Sequence, residues 1–303
     1  MAGQRHNVVS VDHNGRGRLS RIDGFSEPEH RNLRGKPTVL VDLSAPTAWP
    51  WGIIKTTSRH MRLIHAPIIA LMAFVLTTRA ASDSQDTPNT LSAAERSAGW
   101  RLLFDGKTTA EWHAFGQPPS AIPSKANGWD VADGTLVALG KGTDTTADIV
   151  SNNDYASFEL SIDWKLAPQA NSGIFFHVVE KDQKEIYATG PEYQLIDDDG
   201  WKGPLEAWQE TGANYAMHPP LAKAARPVGE WNRTRIVVNG AHVEHWLNGV
   251  KTSDYQLWTP EWKKLKTTGK WKDYPAYGAA KTGKLGLQNH GNMSWFRNIK
   301  VRR

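Results

Sequence analysis

Residues 192–200 read EYQLIDDDG and place two polar side chains on a strand-like segment. Successive side chains of a β-strand point to opposite faces, so Glu192 and Gln194 share one face while Tyr193 and Leu195 share the other. Glutamate has weak strand propensity, and this together with its position beside Gln194 favours a role for Glu192 beyond local structure. A carboxyl group fixed on a strand can act as a general acid or base, and Glu192 is therefore the first candidate for catalysis.

The three aspartates that follow, Asp197–Asp199, run into Gly200. Aspartate and glycine are typical of a turn, so a solvated charge run is the simplest interpretation. A calcium site is the alternative, but the spacing is not that of an EF-hand loop.

A second polar segment is NSGIFFHV, at residues 171–178. Alternation places Ile174, Phe176 and Val178 on an apolar face. It leaves His177 facing outward, with Asn171 near the preceding turn.

A third segment, GLQNHG at residues 286–291, puts Gln288 and His290 on a common face. Its glycines suit the close approach of a ligand or of another backbone. If the three segments share one concave sheet, Glu192, His177 and His290 converge in a cleft. A strand glutamate is more often solvated and a single histidine more often structural, so both simpler interpretations remain open.

Twelve of the 14 tryptophans lie between Trp100 and Trp295. Large aromatic side chains fill the interior of a sandwich, but an indole can also stack on the apolar face of a sugar. Four tryptophans in polar, turn-rich segments are the better candidates for a cleft wall: Trp208, Trp258, Trp262 and Trp271.

The elements that position these residues are predicted to be strands. FELSIDWKL, at residues 158–166, alternates apolar and polar residues, and the Asn239-Gly240 and Asn248-Gly249 pairs each predict a type I′ turn in a three-stranded meander. Many short strands joined by Gly, Asn and Asp turns indicate an all-β sandwich of about 200 residues.

The N-terminal part differs from the rest. Residues 61–80, MRLIHAPIIALMAFVLTTRA, have the basic start, the short apolar run and the small final residues of a secretory signal peptide, with cleavage expected before Ala81. The apolar run is too short to span a bilayer. Residues 1–60 are expected to be a disordered or spurious extension, and residues 81–98 a linker ending in a helical turn at SAAERS.

Charge and cysteine content exclude several classes. Residues 1–80 contain 11 of the 36 Lys and Arg but only 5 of the 31 Asp and Glu, so the remainder is nearly neutral and gives no argument for nucleic-acid binding. There is no cysteine, which excludes disulfides and a cysteine nucleophile. Phosphate-binding glycine loops, His-Glu-x-x-His and Gly-x-Ser-x-Gly are also absent.

Six stretches follow one another along residues 99–303: GWRLLFDGKTTAEWHAF, NSGIFFHV, GPEYQLIDDDG, GANYAMHPP, GEWNRTRIVVNGAHVEHWLNG and GKLGLQNHGNMSWFRNIKVRR. Together they resemble the 3-keto-disaccharide hydrolase domain family, from about Gly99 to Val301. The resemblance implies a concanavalin A-like jelly-roll sandwich of two antiparallel sheets with a concave cleft. It also implies hydrolysis of glycosides already oxidised at C3. The family often has Arg after GIFF, where this chain has His177.

A ketone at C3 acidifies the C2 hydrogen, so the implied reaction is β-elimination of the aglycone from C1 followed by addition of water. Under this resemblance Glu192 is expected to act as base or acid, and His290 or His177 as the second proton carrier or enolate donor. Arg297 is expected to hold Asp197 or Glu192 through a charge-assisted pair. The expected substrate-binding residues are Asp197, Gln194, Gln288, Asn171, Arg297 and Trp208.

A divalent metal on Glu192 and His290 would polarise the carbonyl, and this cofactor is left open. The expected partner is an oligosaccharide or glycoside, with no nucleic acid and no stable membrane span once the signal peptide is cleaved. The expected location is periplasmic or secreted. Two alternatives remain: a non-catalytic carbohydrate-binding module of the same fold, and a structural cell-surface domain with an apolar patch and no cleft.

Overall fold

The computed structural model describes residues 87–121, 123–140 and 148–303, together with two short strands near the N-terminus. The chain divides into two compact units, Met1–Leu76 and Thr77–Arg303. In the first unit, β1 (Val8–Val11) and β2 (Gly17–Ser20) pair antiparallel. The rest of the expected N-terminal extension, the expected signal peptide and the start of the expected linker lie outside the described residues.

The described part of the second unit is built mainly from strands. They are β3 (Arg101–Leu102), β4 (Trp112–Ala114), β5 (Trp129–Ala132), β6 (Thr135–Ala138), β7 (Ile149–Tyr155), β8 (Phe158–Leu166), β9 (Asn171–Val178), β10 (Glu192–Ile196), β11 (Asn232–Asn239), β12 (His242–Leu247), β13 (Val250–Gln256), β14 (Gly283–Leu287) and β15 (Ser294–Arg302). The α-helices are α1 (Ala93–Ser97) and α2 (Pro260–Thr268), and 3₁₀ turns occur at Lys125–Asn127, Ile186–Ala188, Ala207–Gln209 and Lys270–Asp273. None of these helices is both long and apolar enough to cross a membrane.

The strands form two antiparallel sheets. The five-stranded sheet has the order β10-β9-β14-β7-β4, and the eight-stranded sheet has the order β13-β12-β11-β8-β15-β6-β5, with β3 paired to β15. One main hydrophobic cluster joins side chains from both sheets. The predicted jelly-roll sandwich of the concanavalin A-like class is confirmed.

Strand β8 shows how the sequence pattern builds this core. Leu160, Ile162 and Trp164 are buried in the main cluster, as their spacing predicts. At the alternate positions, Glu159 and Asp163 point to the outer face, where Arg235 pairs with Glu159 and Arg233 pairs with Asp163. The alternation predicted for FELSIDWKL is therefore confirmed.

The predicted meander is also confirmed, as β11-β12-β13. Its second turn has positive φ at both Asn248 (49°) and Gly249 (85°), the pattern of type I′. The type I′ prediction for the first turn was wrong. Asn239 pairs with His242 in the ladder, so the loop residues are Gly240 and the alanine after it, and of these two only Gly240 has positive φ. That is the φ pattern of a type II′ turn.

A parallel stack of five rings runs through the main core. His218 lies 4.9 Å from Tyr255, Tyr255 lies 5.8 Å from Trp262, and Trp262 lies 6.1 Å from Tyr277. The last pair, Trp271 and Tyr277, is 4.1 Å apart. Trp262 belongs to α2, so the stack fixes this helix and the 3₁₀ turn after it against the sandwich.

The end of the expected linker is tied to the eight-stranded sheet. Helix α1 begins with a capping box between Ser92 and Glu95, which confirms the helical turn predicted at SAAERS. The backbone N–H of Asn89 donates to Asn298 Oδ1, and the N–H of Asn298 donates to Asn89 Oδ1 at 2.8 Å. Lys300 forms an ion pair with Glu95. The segment is thus attached to the sandwich at Asn89 and Glu95.

Candidate active site

A pocket on the outer face of the five-stranded sheet collects most of the predicted site residues. Glu192 and Gln194 come from β10, Asn171 from β9, and Gln288 and His290 from the segment after β14. These three strands are neighbours in the sheet. The structure therefore brings together residues that are more than 100 positions apart in sequence.

Backbone contacts fix the segment after β14 in this place. The N–H of Gln288 donates to the carbonyl of Gly173 at 3.0 Å. The hydroxyl of Ser172 donates to the carbonyl of Gln288 at 2.7 Å. Asn171 and His290 form an isolated antiparallel bridge. The order of the strands, rather than the length of the side chains, therefore sets the positions of Gln288 and His290.

Gly173 makes room for the carboxyl group of Glu192. A Cβ atom at Gly173 would collide with Glu192 Oε1. No φ in the left-handed region is involved, so the requirement for glycine is one of space alone. The glycine in NSGIFFHV is the sequence feature that permits this arrangement. Its role can be recognised only from the contact between Gly173 and Glu192 in the folded chain.

Glu192 is almost fully buried, with 4% of its surface exposed. Burial raises its pKa to about 8, because the charged form is poorly solvated; Lys270 partly opposes this rise and Asp148 adds to it. No hydrogen bond to the carboxyl group from any described residue contributes. Glu192 can thus gain or lose a proton near neutral pH.

Two residues that line the pocket, Gln194 and Gln288, each have a side-chain oxygen without a hydrogen-bond partner. Gln194 is 2% exposed and Gln288 is 5% exposed, and the Oε1 atom of each is buried without a hydrogen bond. The Nε2 group of Gln194 donates to Asn171 Oδ1 at 3.5 Å, which turns its oxygen elsewhere. A buried acceptor without a partner is costly, so these two oxygens suit a ligand that offers hydroxyl donors.

The opposite wall is aromatic and cationic, and most of it was missed by the sequence analysis. It consists of Tyr187, Tyr215, Lys270, Trp271 and Tyr274. Of the four tryptophans predicted for a cleft wall, only Trp271 lines this pocket. The segment GKWKDYPAYG, at residues 269–278, has aromatic residues around its lysines and could have indicated such a wall. No local sequence pattern, however, predicts that this segment lies over β10.

The other three tryptophans have different surroundings. Trp208, an expected substrate-binding residue, packs edge-on against Tyr215 at 5.4 Å, one layer behind the pocket wall. Trp262 belongs to the core stack. Trp258 donates its Nε1–H to the carbonyl of Gly278 at 2.7 Å.

His177 does not reach the pocket, so the predicted convergence with Glu192 and His290 fails for this residue. Its φ is +53°, and the pairing of β9 with β14 shifts register between Lys284 and Gly286. This bulge breaks the alternation on which the prediction depended. His177 Nε2 contacts the carbonyl of Ala156 at 2.7 Å, and burial lowers its pKa.

Asp197 also lies outside the pocket. Alternation from Glu192 puts Asp197 on the opposite face, that of Tyr193. Its carboxylate accepts hydrogen bonds from the backbone N–H groups of Gln169 and Gly200, both at 2.8 Å. Asp197 thus shapes the turn after β10 and is not among the residues that line the pocket.

The expected pairing of Arg297 with Asp197 or Glu192 is wrong. Arg297 lies on β15 in the eight-stranded sheet, opposite Asp163. Its Nε is 3.9 Å from Asp163 Oδ2, and its guanidinium lies 4.0 Å over the ring of Trp231. The error arose because the sequence pattern does not indicate which sheet contains β15.

Of the residue types that most often ligate divalent metals, the described lining of the pocket offers one carboxylate, Glu192, and one imidazole, His290. Within the described residues, the one group of three carboxylates and imidazoles close enough to share an ion is His242, Glu244 and Asp254, in the eight-stranded sheet. There the ammonium of Lys251 already contacts Glu244 and Asp254, each at 2.7 Å. The charged groups that act on Glu192 are Lys270 and Asp148.

Comparisons with known proteins agree with this architecture. Residues 99–302 match the model of a family described as the 3-keto-alpha-glucoside-1,2-lyase-like domain. A 3-keto-disaccharide hydrolase of Bacteroides thetaiotaomicron is 32% identical over 231 residues, which cover 67% of this chain and 78% of that protein.

Two solved structures from Parabacteroides distasonis, both provisionally named glycosyl hydrolases, are also similar. The first has a TM-score of 0.66 and 40% identity, and the match covers 71% of this chain and 99% of that one. The second has a TM-score of 0.52 and 29% identity, and covers 67% and 98%.

The sandwich, its polar pocket and these relatives define a glycoside-cleaving enzyme. The chain belongs to the 3-keto-alpha-glucoside-1,2-lyase-like domain family. The resemblance carried by its six sequence motifs is thereby confirmed.

Proposed function

We propose that this protein cleaves the glycosidic bond of 3-keto-glycosides by β-elimination and hydration. The observation that carries the proposal is Glu192, a buried carboxyl group with a pKa of about 8 that lines a pocket and has no hydrogen-bonding partner among the described residues. The family and the 3-keto-disaccharide hydrolase relative support the choice of substrate.

The pocket has too few carboxylates for ordinary glycoside hydrolysis. Most glycosidases place two carboxyl groups on either side of the scissile bond. Among the described residues that line this pocket, Glu192 is the one carboxyl group. Nearby Asp148 accepts the backbone N–H of Asn289 at 3.1 Å and does not line the pocket. A ketone in the substrate removes the need for the second carboxylate.

The steps follow from the chemistry of a 3-keto sugar. Glu192 removes the proton from C2, and the electron pair forms an enolate with the C3 carbonyl. The enolate then expels the aglycone oxygen from C1, which receives a proton, and leaves a C1–C2 double bond conjugated with the ketone. Water adds its hydroxyl to C1 and gives its remaining proton back to the group that protonated the aglycone, and C2 regains a proton from Glu192. The net result is hydrolysis.

The pocket residues fit these steps. A carboxylate whose pKa is raised is a stronger base than an ordinary glutamate, which helps to remove a weakly acidic C–H proton. His290 lines the same pocket, and we assign to it the proton of the leaving oxygen. The unpartnered oxygens of Gln194 and Gln288 accept from substrate hydroxyls.

The test is a comparison of 3-keto-trehalose with trehalose, incubated with the purified protein. We expect release of 3-keto-glucose from the first and no reaction of the second, because only the ketone acidifies C2. Failure to release any sugar from 3-keto-trehalose and from a 3-keto-glucoside would contradict the proposal.

A non-catalytic carbohydrate-binding module is the second candidate. Such a module needs hydroxyl acceptors but no ionisable neighbour for Glu192, whereas Lys270 and Asp148 both act on its pKa. Calorimetry showing glycan binding without turnover would favour the module over the enzyme.

Export is part of the proposal and depends on residues 61–80 alone. We expect the mature protein to begin near Ala81 and to be found in the periplasm or the medium. N-terminal sequencing of the protein from cell fractions tests this expectation. Protein found in the cytoplasm with residues 61–80 still attached would contradict it.

A further inference from the structure

The aromatic wall of the pocket holds one basic side chain. Among the described lining residues, Lys270 is the one lysine or arginine. It opens the 3₁₀ turn Lys270–Asp273, directly after α2. No described carboxylate lies within ion-pair distance of its ammonium, whereas Lys272 in the same turn is paired with Asp273 at 2.6 Å.

Aromatic groups hold the ammonium of Lys270 in place. Its Nζ donates to the hydroxyl of Tyr215 at 3.2 Å and lies 4.2 Å from the centre of the Tyr215 ring and 5.1 Å from that of Trp271. Trp271 is fixed in turn by its stacking on Tyr277 at 4.1 Å. Cation–π contacts orient a lysine without neutralising it. The charge therefore remains available to a ligand.

The strand wall and the aromatic wall of the pocket suit different chemical groups of a ligand. The oxygens of Gln194 and Gln288 can only accept hydrogen bonds, so a ketone oxygen placed against them would meet lone pairs. A ketone oxygen is itself only an acceptor and needs a donor. The ammonium of Lys270 is such a donor, and its charge acts on Glu192 as well.

We propose that Lys270 is a catalytic residue that binds the C3 ketone oxygen of the substrate and stabilises the enolate formed when Glu192 removes the C2 proton. The proposal depends on the proposed function and adds the orientation of the sugar. The ketone faces Lys270, while the hydroxyl groups face Gln194 and Gln288. As the proton moves from C2 to Glu192, negative charge moves onto O3 beside the ammonium. When the C1–O bond breaks, this charge leaves on the aglycone oxygen, which takes up a proton, and the C3 ketone is restored.

The main variant is Lys270→Met, which keeps an unbranched side chain over Tyr215 and Trp271 but removes the charge. Lys272→Met is the matched control, two residues further along and outside the pocket lining. Enolate formation is measured by exchange of the C2 hydrogen of a methyl 3-keto-glucoside in D₂O, whose poor leaving group separates this step from cleavage. Loss of one donor to a developing oxyanion commonly costs about 100-fold in rate. Because Lys270 is solvent-exposed in the free protein, we expect a ~10–100-fold loss of both exchange and kcat.

Two further measurements distinguish a catalytic lysine from a structural one. Methylammonium should partly restore Lys270→Ala, because a small cation can occupy the vacated place, and it should not affect Lys272→Ala. The pH profile should also move. Lys270 lowers the pKa of Glu192, so its loss should shift the rising limb of kcat/KM to higher pH. The Lys270 variants do not alter the other charged or titratable groups that act on Glu192 or share its pocket, which are Asp148, His290, Tyr187, Tyr215 and Tyr274.

The outcomes separate this proposal from the proposed function. A wild-type protein that neither exchanges C2 nor cleaves any 3-keto-glycoside would overturn both. The wild-type protein could instead exchange C2 and cleave 3-keto-glycosides while Lys270→Met matches Lys272→Met in exchange rate and pH profile. That result would overturn only the role of Lys270. A change confined to KM, without loss of kcat or exchange, would likewise count against it.

Discussion

Glu192 and Glu159 are strand glutamates on the outer faces of the two sheets, and their surroundings shift their pKa values in opposite directions. Burial raises the pKa of Glu192 to about 8. Burial also pushes the pKa of Glu159 upward, but hydrogen bonds from Arg235 and Arg302 outweigh it, so the net pKa is lowered. Arg302 Nε donates to Glu159 at 2.9 Å.

Asp163, also on the eight-stranded sheet, has hydrogen-bond partners as Glu159 does. Arg233 donates to it at 2.7 and 3.2 Å, and Asn298 Nδ2 at 2.7 Å. Carboxylates on that face have partners and contribute to stability. On the five-stranded sheet, Glu192 lacks such partners and stays reactive, because desolvation of the charged form is left uncompensated. The partners of a buried carboxyl group, rather than its residue type or its strand, therefore decide whether it stabilises the fold or stays reactive.

The largest expected effect is the loss of activity in Glu192→Gln. Removing a general base commonly costs about 100- to 10,000-fold, so 3-keto-glucose release should fall by that order while the fold is kept. Glu159→Gln is the matched control and should retain near wild-type kcat. If both variants lose activity equally, the functional contrast between the faces is wrong.

The pH dependence of the wild-type enzyme should be the next largest effect. Glu192 must be ionised to act as the base, so kcat/KM should rise with pH and level off above the pKa of about 8. Two pH units below that value, the rate should be about 100-fold lower. A profile that is flat from pH 6 to pH 9 would show that Glu192 does not limit the reaction.

Gly173→Ala tests the position of the Glu192 carboxyl group with a single methyl group. The added Cβ would collide with Glu192 Oε1, and a small misplacement of a catalytic group can cost about 100-fold; we expect a ~10-fold or greater loss of kcat. Gly200→Ala is the control, because its Cβ would meet the carboxylate of Asp197 in the same way. Equal losses in the two variants would indicate general damage to the fold.

The smallest effect is on stability, and it should have opposite signs at the two glutamates. The raised pKa of Glu192 means that stability is highest below its unfolded pKa and is lost as pH rises toward 8. Glu192→Gln should therefore raise Tm at pH 8, by roughly 5 °C, and change it little at pH 4. For Glu159 the pKa is lowered, so its stabilisation is present above the unfolded pKa and lost in acid; Glu159→Gln should lower Tm at pH 8. Thermal melts of both variants at pH 4 and pH 8 check the signs.

Much of the fold was predictable from local patterns. The alternation in β8 and the Asn248-Gly249 turn depend on neighbouring residues, and both were confirmed. The face shared by Glu192 and Gln194 was predictable for the same reason. The same rule would also have excluded Asp197, since it lies an odd number of residues from both.

The errors came from features that no local pattern contains. The positive φ of His177 reverses the alternation within β9, and it depends on the pairing of β9 with β14. Arg297 was assigned to the wrong sheet because strand order is a property of the whole chain. Lys270 was missed because the segment after α2 reaches the pocket only through the aromatic stack.

The sequence by itself determined the strand periods, the second meander turn, the family and the polar face of β10, because each depends on the order of nearby residues or on matched motifs. The tertiary structure decided which polar faces meet, how deeply Glu192 is buried and that Lys270 lies beside it. The physical reason is that desolvation and charge act through space. A carboxyl group acquires a pKa of about 8 only when distant parts of the chain exclude water around it.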